Sequence, residues 1–438
     1  MEIKNNYKSF SLILIFLSLS SFFFGFYLDE NSAGGGAYLG DWIFLWPNLQ
    51  LFINNDLHTA INSENLLTNR TPLLYILHAA LNPFVENEIE YRRSVFLISF
   101  IAPILFYFCL KKKFKSEDNL LLVLIASTIF LSPYFRTSAF WGLEENYAFI
   151  CLLFTFLFLN YFLENKNEYN FKIYIQIFLT TFFSSLCIYF DQKLIIIPLI
   201  AFLAIINSNR KKRFKLISIF FYLILSLPYI YLITLWGGLF PKITLTRNLT
   251  SQFYFEHIGY TCTIIAFYFF PFLLFRGKSF FYLVKNFFLE KINYYFILPS
   301  LIYIFYFLGL SIFFGQDPLS IEDGTGKGIV HKISFILFTN NLFLREIFIY
   351  FSFFISWIFI ILFIDKNFKN MLIFLYFLVL SIFTRPLMQE YFDPLILLLI
   401  FTFFNSKLII NYKNVIILFF YLSFFLLGSN IYYYKLLN

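Results

Sequence analysis

Apolar residues run in long stretches along this chain, and charged and polar residues fall between them. Such stretches lie near 10–28, 94–110, 118–133, 147–163, 173–190, 194–207, 216–236, 258–275, 293–314, 346–364, 371–383, 394–405 and 415–430. A helix crossing a bilayer needs about 20 mostly apolar residues, so the pattern predicts an all-α, polytopic transmembrane helix bundle of about 13 spans. Residues 1–438 then form a single integral membrane domain. The stretches 371–383 and 394–405 are short and suit a re-entrant pair equally well; removing both leaves the orientation unchanged. The first run follows Lys4 and Lys8 and ends without a small-residue cleavage signal, which predicts an uncleaved first helix.

Lysine and arginine in the short connections set the orientation. With a cytoplasmic N-terminus, segments 1–9, 111–117, 164–172, 208–215, 276–292, 365–370 and 406–414 face inward and hold 21 of the 33 Lys and Arg. Both strongly basic runs, KKKFK at 111–115 and RKKRFK at 210–215, fall on that side. Their placement accounts for the net charge of +8 by topology and contact with membrane lipids; no nucleic-acid partner is expected. Acids sort the other way, with 18 of 25 outside, as are all four histidines. Carboxylates contribute little to orientation, so an acidic outer face has a reason of its own.

Composition adds little to this picture. Hydrophobic residues are 60% of the chain and charged ones 13%, with a mean hydropathy of +0.74, which excludes an ordinary soluble globule. The 69 Phe read as lipid-facing bulk. The four cysteines stand singly inside apolar runs, without metal-ligand spacing, and read as small core hydrophobes.

Candidate chemistry gathers in the outer connections. The longest, 29–93, is too long for a structureless loop and predicts juxtamembrane helices. It opens with Asp29-Glu30, passes a glycine-rich stretch to Asp41-Trp42, and continues with an amphipathic pattern through His58 to Arg70-Thr-Pro-Leu-Leu-Tyr75. A carboxylate at the lip of an apolar wall suits a general base; capping the next helix is the competing role for Asp41. The connection 133–146 holds Arg136 and then Glu144-Glu145 at the start of the next run, where acids also favour a helix N-terminus. Segment 384–394 packs Arg385, Gln389, Glu390, Tyr391 and Asp393 into one turn. There Arg385 fits either a phosphate or a pair with Glu390. The outer loop 315–345 contains GTGKG, which lacks the spacing of a P-loop; its Lys327 and His331 are candidate substrate contacts.

Asp41, the amphipathic stretch after it, the Asn55-Asp56 turn and the Arg70–Tyr75 element resemble the first outer loop of the GT-C glycosyltransferases, such as lipid A aminoarabinose transferases and protein O-mannosyltransferases. The resemblance is best over residues 10 to 215. One proline of the family's basic-Pro-Pro element is replaced, and the paired acids after the first span are split between Asp29-Glu30 and Asp41. It implies a GT-C-like fold and a membrane glycosyltransferase of the cell envelope. The donor would be a polyprenyl-phosphate sugar, the acceptor a glycan, lipid or protein, and the reaction an inverting single displacement on the outer face. Asp41, Glu144 and Glu145 are the implied catalytic acids, with Asp29 or Glu30 as alternative bases. Arg70, Tyr75, His58, Arg136, Lys327, His331, Arg385, Gln389, Glu390 and Tyr391 are the candidate substrate contacts. Some relatives use a divalent metal; no ligand set here suggests one, so no cofactor is expected. The alternatives are a transporter or flippase of lipid-linked glycans, or a glycan polymerase or ligase. Tight loops suggest a bacterial inner membrane, with the endoplasmic reticulum second.

Overall fold

A computed structural model describes residues 2–33, 40–68, 70–165, 171–238, 253–276, 280–317, 319, 326–365, 367–405 and 408–437. Among them every regular element is helical. Among the described residues, eight helices are long and apolar enough to cross a membrane. A ninth is formed if Asn119–Leu131 and Pro133–Trp141, bent by 70° at Ser132, count as one broken span. The chain is therefore an all-helical membrane protein. The stretch 394–405 forms only a seven-residue helix, Leu395–Phe401, with all seven residues buried. At 1.5 Å per residue that is about a third of a bilayer core. Within 315–345, the apolar residues Gly328–Leu337 form a helix of their own.

The helices divide into two compact units. The first holds α1 (Glu2–Tyr27), α2 (Asp41–Asn54), α3 (Leu57–Asn62), α4 (Leu73–Leu81), α5 (Glu88–Ser99), α6 (Ile101–Lys113), α7 (Asn119–Ser127), α8 (Pro133–Trp141), α9 (Glu144–Glu164), α10 (Lys172–Phe190), α11 (Ile196–Ile206) and α12 (Lys212–Trp236). The second holds α13 (His257–Leu273), α14 (Phe280–Leu289), α15 (Lys291–Phe314), α16 (Gly328–Leu337), α17 (Leu342–Ile364), α18 (Phe368–Ile382) and α19 (Leu395–Phe401). The last helix, α20 (Tyr412–Leu437), begins in the second unit and returns to the first from Phe419. Within 29–93, α2, α3 and α4 are helices each too short to span a bilayer.

In the first unit, how α1 ends decides where the acids after it go. Asp29 takes a left-handed conformation (φ 50°), and the Glu30 N–H reaches back to the Gly25 carbonyl at 2.9 Å, closing the helix end. That turn sends Asp29 to Arg92, at 2.6 Å, and Glu30 to the buried Arg136 of α8. The Arg136 Nε donates to Glu30 at 2.7 Å, and its other nitrogens reach Ser21 and the Phe130 carbonyl. Asn430 of α20 also donates to Glu30, at 3.3 Å, which ties the last helix to the first. A Cβ at Gly25 would collide with both members of the pair, so only glycine fits there. Around this ion pair, Phe22, Phe96, Phe130, Phe135 and Phe140 stack with centroids 4.7–6.0 Å apart where they meet Phe22 or Phe96.

Polar groups inside the apolar helices are satisfied locally. Hydroxyls such as Thr155, Thr181 and Ser423 donate to carbonyls one turn back, the cheapest partner where water is absent. α12 carries Pro228, which removes one rung of its ladder. The Tyr189 hydroxyl of α10 enters beside that break, accepting from the Tyr229 N–H at 3.0 Å and donating to the Leu225 carbonyl at 2.6 Å. In the second unit α13 and α17 pack face to face, with Phe269 and Phe363 at 3.9 Å. Gly259 leaves the room that Phe353 fills.

Removing one member of a buried ion pair strands the other. Arg136→Ala should therefore cost about 3–5 kcal/mol, measured by equilibrium unfolding in detergent micelles. Unchanged stability would show that the pair anchors nothing.

Candidate functional site

The turns that start α4 and α9 and join α10 to α11 build a charged cluster in the first unit. At the first, Arg70 precedes Thr71 and Pro72, whose ring suits the opening of α4. Asn48 of α2 holds the approach. Its amide donates to the Leu67 carbonyl at 2.9 Å and accepts from the Leu67 N–H at 3.0 Å, as a neighbouring strand would. The Thr71 hydroxyl donates to the Tyr189 carbonyl, fixing the same turn to the end of α10. At the second, α8 ends in left-handed Gly142 (φ 70°), where a Cβ would strike the Tyr91 ring. The chain then reverses into α9, whose first residues are Glu144 and Glu145.

Arg70 bridges those two acids. It donates to Glu144 at 2.6 Å and also pairs with Glu145, and both carboxylates are buried. Tyr75 reaches Glu144 at 3.5 Å and accepts from Asn48 at 3.3 Å. Tyr134 donates to Glu145 at 2.6 Å. From the third turn Lys193 lies 3.9 Å from Glu145 and 3.4 Å from Asp191. Asp41 is the first residue of α2, with Gly40 at the N-cap. Its carboxyl lies within the electrostatic reach of Arg70, Glu145 and Lys193.

The balance of burial and charge sets the character of each group. Burial pushes the Asp41 carboxyl above the usual carboxylate range, against the pull of Arg70. Burial opposes the Arg70 charge, but Glu145 and Glu144 outweigh it and hold the guanidinium protonated more firmly than usual. Burial pushes Tyr75 upward, so its hydroxyl stays a neutral donor. His78, one turn further along α4, is pushed down to about 4 by burial and is neutral. Asn82 donates to its Nδ1 at 2.9 Å, which leaves Nε2–H to donate to Tyr147 at 2.8 Å. The Glu145 Oε2 and both amide atoms of Asn146 are buried without a hydrogen-bond partner. Groups of this kind cost about 1–3 kcal/mol each unless something polar meets them.

Of the expected residues, Asp41, Arg70, Tyr75, Glu144 and Glu145 come together. Asp29 and Glu30, the alternative bases, are instead committed to Arg92 and Arg136. Arg136 is 2% exposed with its nitrogens turned to Glu30, Ser21 and Phe130, so it is a structural cation rather than a phosphate contact. His58 is exposed on α3. The remaining candidates belong to the second unit. Lys327 and His331 are buried at α16, with the Lys327 Nζ 5.6 Å and the His331 ring 5.3 Å from the Tyr260 ring. Arg385 reaches the Tyr254 hydroxyl at 3.4 Å. Gln389 accepts from the Ile329 N–H at 2.8 Å, and Glu390 and Tyr391 share its short 3₁₀ turn. The glycines at 34–36 and residues 321–325 lie outside the described residues.

Sequence reasoning missed Asp191, Lys193 and Asn48. The polar triplet Asp191-Gln-Lys193 between two apolar runs was the signal for the first two. Asn48, set among Leu45, Leu49 and Phe52 on the buried face of α2, was the signal for the third. Among the described residues, no group of three or more His, Cys, Asp or Glu is arranged to hold a metal ion.

The raised Asp41 carboxyl has a thermodynamic consequence. Its folded-state pKa exceeds the unfolded one, so the fold binds this proton more tightly and stability falls as pH rises through that window. Relative to Asp41→Asn, the wild-type unfolding midpoint should drop as pH rises from about 4, the ordinary carboxyl range, toward neutrality. A difference independent of pH would mean that Asp41 is not desolvated. The chain matches no protein-family profile, no curated protein and no solved structure.

Proposed function

We propose that the protein is a GT-C-type membrane glycosyltransferase that moves a sugar from a polyprenyl-phosphate donor to a hydroxyl of a glycan, lipid or protein acceptor. One observation supports this most. Asp41, Arg70, Glu144, Glu145 and Lys193 come from three separate connections, all assigned to one side of the membrane by charge counting, and they gather in one cluster. A lipid-linked donor also explains why so apolar a chain would keep its reactive groups at a membrane surface.

In this mechanism Asp41 takes the proton of the acceptor hydroxyl. The oxygen attacks the anomeric carbon, the carbon–oxygen bond to phosphate breaks, and polyprenyl phosphate leaves with the electron pair, inverting the anomeric centre. Desolvation makes Asp41 a stronger base than a solvated carboxylate. Arg70 and Lys193 supply positive charge for the departing phosphate, while Glu144 and Glu145 hold Arg70 in place. Lys327, His331, Arg385, Gln389, Glu390 and Tyr391 of the second unit remain candidate substrate contacts. This reading keeps about 13 spans in a bacterial inner membrane, with the N-terminus cytoplasmic; the eight long apolar helices support the membrane placement alone.

Two experiments test this reading. Cysteines placed at Lys112 and Lys211 should resist an impermeant thiol reagent in intact cells while one at Ser63 reacts; the reverse pattern overturns the orientation. In reconstituted membranes supplied with polyprenyl-phosphate sugars, Asp41→Asn should lower turnover by about 10²–10⁴-fold. The wild-type rate should fall as acid protonates Asp41, beginning at a higher pH than for an ordinary carboxylate. Undiminished transfer by Asp41→Asn, or no transfer by the wild type from any such donor, refutes the proposal.

A further inference from the structure

The two cations of the cluster, Arg70 and Lys193, stand on turns that share a neighbour. Beside Arg70, the Thr71 hydroxyl donates to the Tyr189 carbonyl near the end of α10. Lys193 stands in the turn that follows the same helix end. The Tyr189 side chain points the other way, into α12. Its hydroxyl accepts from the Tyr229 N–H at 3.0 Å and donates to the Leu225 carbonyl at 2.6 Å. The Tyr189 and Tyr229 rings meet edge to face, with centroids 6.0 Å apart. The side chain of Gln192, next to Lys193, also approaches the Tyr229 hydroxyl.

α12 is held unevenly along its length. Before Pro228, the Tyr222 hydroxyl shares a hydrogen bond with Ser184 of α10 at 2.8 Å and donates to the Pro198 carbonyl of α11 at 3.4 Å. At Pro228 the helix lacks the N–H that would serve the Ile224 carbonyl. Beyond it, the Thr234 hydroxyl donates to the Tyr231 carbonyl and the Trp236 ring meets Tyr229, both within α12 itself. Of residues 230–236, Leu232 alone is buried. Among the eight long apolar helices of the described residues, α12 is also the least buried. A proline break anchored on one side and weakly held on the other is a hinge.

From this arrangement we infer that α12 beyond Pro228 is a hinged segment, latched to α10 by the Tyr189 hydroxyl, and that the latch sets the turns carrying Arg70 and Lys193. Tyr189 is thus a positioning residue for both cations. It acts on Arg70 through Thr71, and on Lys193 through the turn that Tyr189 and Gln192 hold against Tyr229. When the hydroxyl lets go, the end of α10 loses its seat on α12, and the carbonyl that Thr71 bonds moves with it. A molecule entering from the bilayer between α10 and α12 has to displace this hydroxyl. Entry and the placement of the two cations are then one event. This coupling holds whether or not the chain transfers sugars.

The full chain in lipid nanodiscs, spin-labelled through Leu199→Cys and Thr234→Cys, tests the hinge by pulsed distance measurement across the break. Leu199→Cys with Leu223→Cys is the control pair on the anchored side. All three positions are exposed, and the four native cysteines are buried. Tyr189→Phe keeps the ring and removes both hydrogen bonds. It should raise the longer-distance population of the outer pair on the order of tenfold and leave the control pair unchanged. Pro228→Ala restores the N–H, so the double variant should return to the wild-type distribution. A side chain that merely fills space predicts no such rescue. Amide hydrogen exchange across 70–75 and 190–195 should rise in Tyr189→Phe and recover in the double variant, while that of α5 stays constant. An unchanged outer pair in Tyr189→Phe, no rescue by Pro228→Ala, or unaltered exchange at both turns would each overturn the inference. Where Tyr189→Phe does not fold, Pro228→Ala alone decides: it should slow exchange at both turns, and exchange equal to wild type overturns the hinge.

Discussion

The pairing of Arg70 with Glu144 and Glu145 is the constraint on which the arrangement of the first unit's loops depends. Two adjacent carboxylates at a buried helix start are unfavourable unless a cation reaches both, because desolvation penalises the ionised forms and each repels the other. Arg70 meets that need from 74 residues away in sequence, through a planar fork that bonds two oxygens at once. Its turn must then stay where Asn48 and Thr71 hold it, and α9 must start where Gly142 lets the chain reverse. Moving any one of these turns leaves a buried charge without its counterpart, so the pairing fixes them as a set.

A second buried pair, Glu30 with Arg136, works alongside the first and divides the labour. It sits where α1 ends and α8 packs, among phenylalanines, and its remaining bonds go to hydroxyl and carbonyl groups of the same helices. Every nitrogen of Arg136 is turned to the interior. Arg70 differs because its partners are acids that themselves face Lys193, Tyr134 and Asp41. One pair is a rivet, and the other is part of a network with several titratable members. That difference separates an arginine committed to packing from one set among several titratable groups, and both look alike in sequence: an arginine in a polar connection between apolar runs.

Much of this was legible before any coordinates. Long apolar runs forecast the long helices because a bilayer-length helix leaves an unmistakable stretch, while Asp41, Arg70, Tyr75 and the two glutamates were singled out by polar residues interrupting that pattern together with the resemblance of the first outer loop to GT-C enzymes. Asp191 and Lys193 escaped because three polar residues between two apolar runs look like an ordinary turn; only the fold shows that the turn abuts Glu145. The stretch 394–405, left open in sequence between a span and a re-entrant segment, is ambiguous for the opposite reason. Its apolar residues satisfy a hydropathy count, but Thr402 ends the helix after Phe401, and the short piece is buried by its neighbours rather than by lipid. Hydropathy records what a residue avoids; it does not distinguish lipid from protein as the refuge.

On the proposed reading, the charge balance of the cluster links the two halves of the reaction. When all four ionise, Asp41, Glu144, Glu145 and Asp191 outnumber Arg70 and Lys193 by two, so the cations are then engaged by acids. A phosphate approaching such a cluster gains little, while a neutral hydroxyl meets a desolvated carboxylate ready to take its proton. Once Asp41 is protonated, one of the acids acting on Arg70 and Lys193 is neutral, and part of their field is released toward negative charge developing nearby. Proton removal from the acceptor therefore strengthens the stabilisation of the leaving group at the moment that stabilisation is required. On that proposal, an excess of acid, which would weaken a simple phosphate-binding site, lets the cluster couple the two steps.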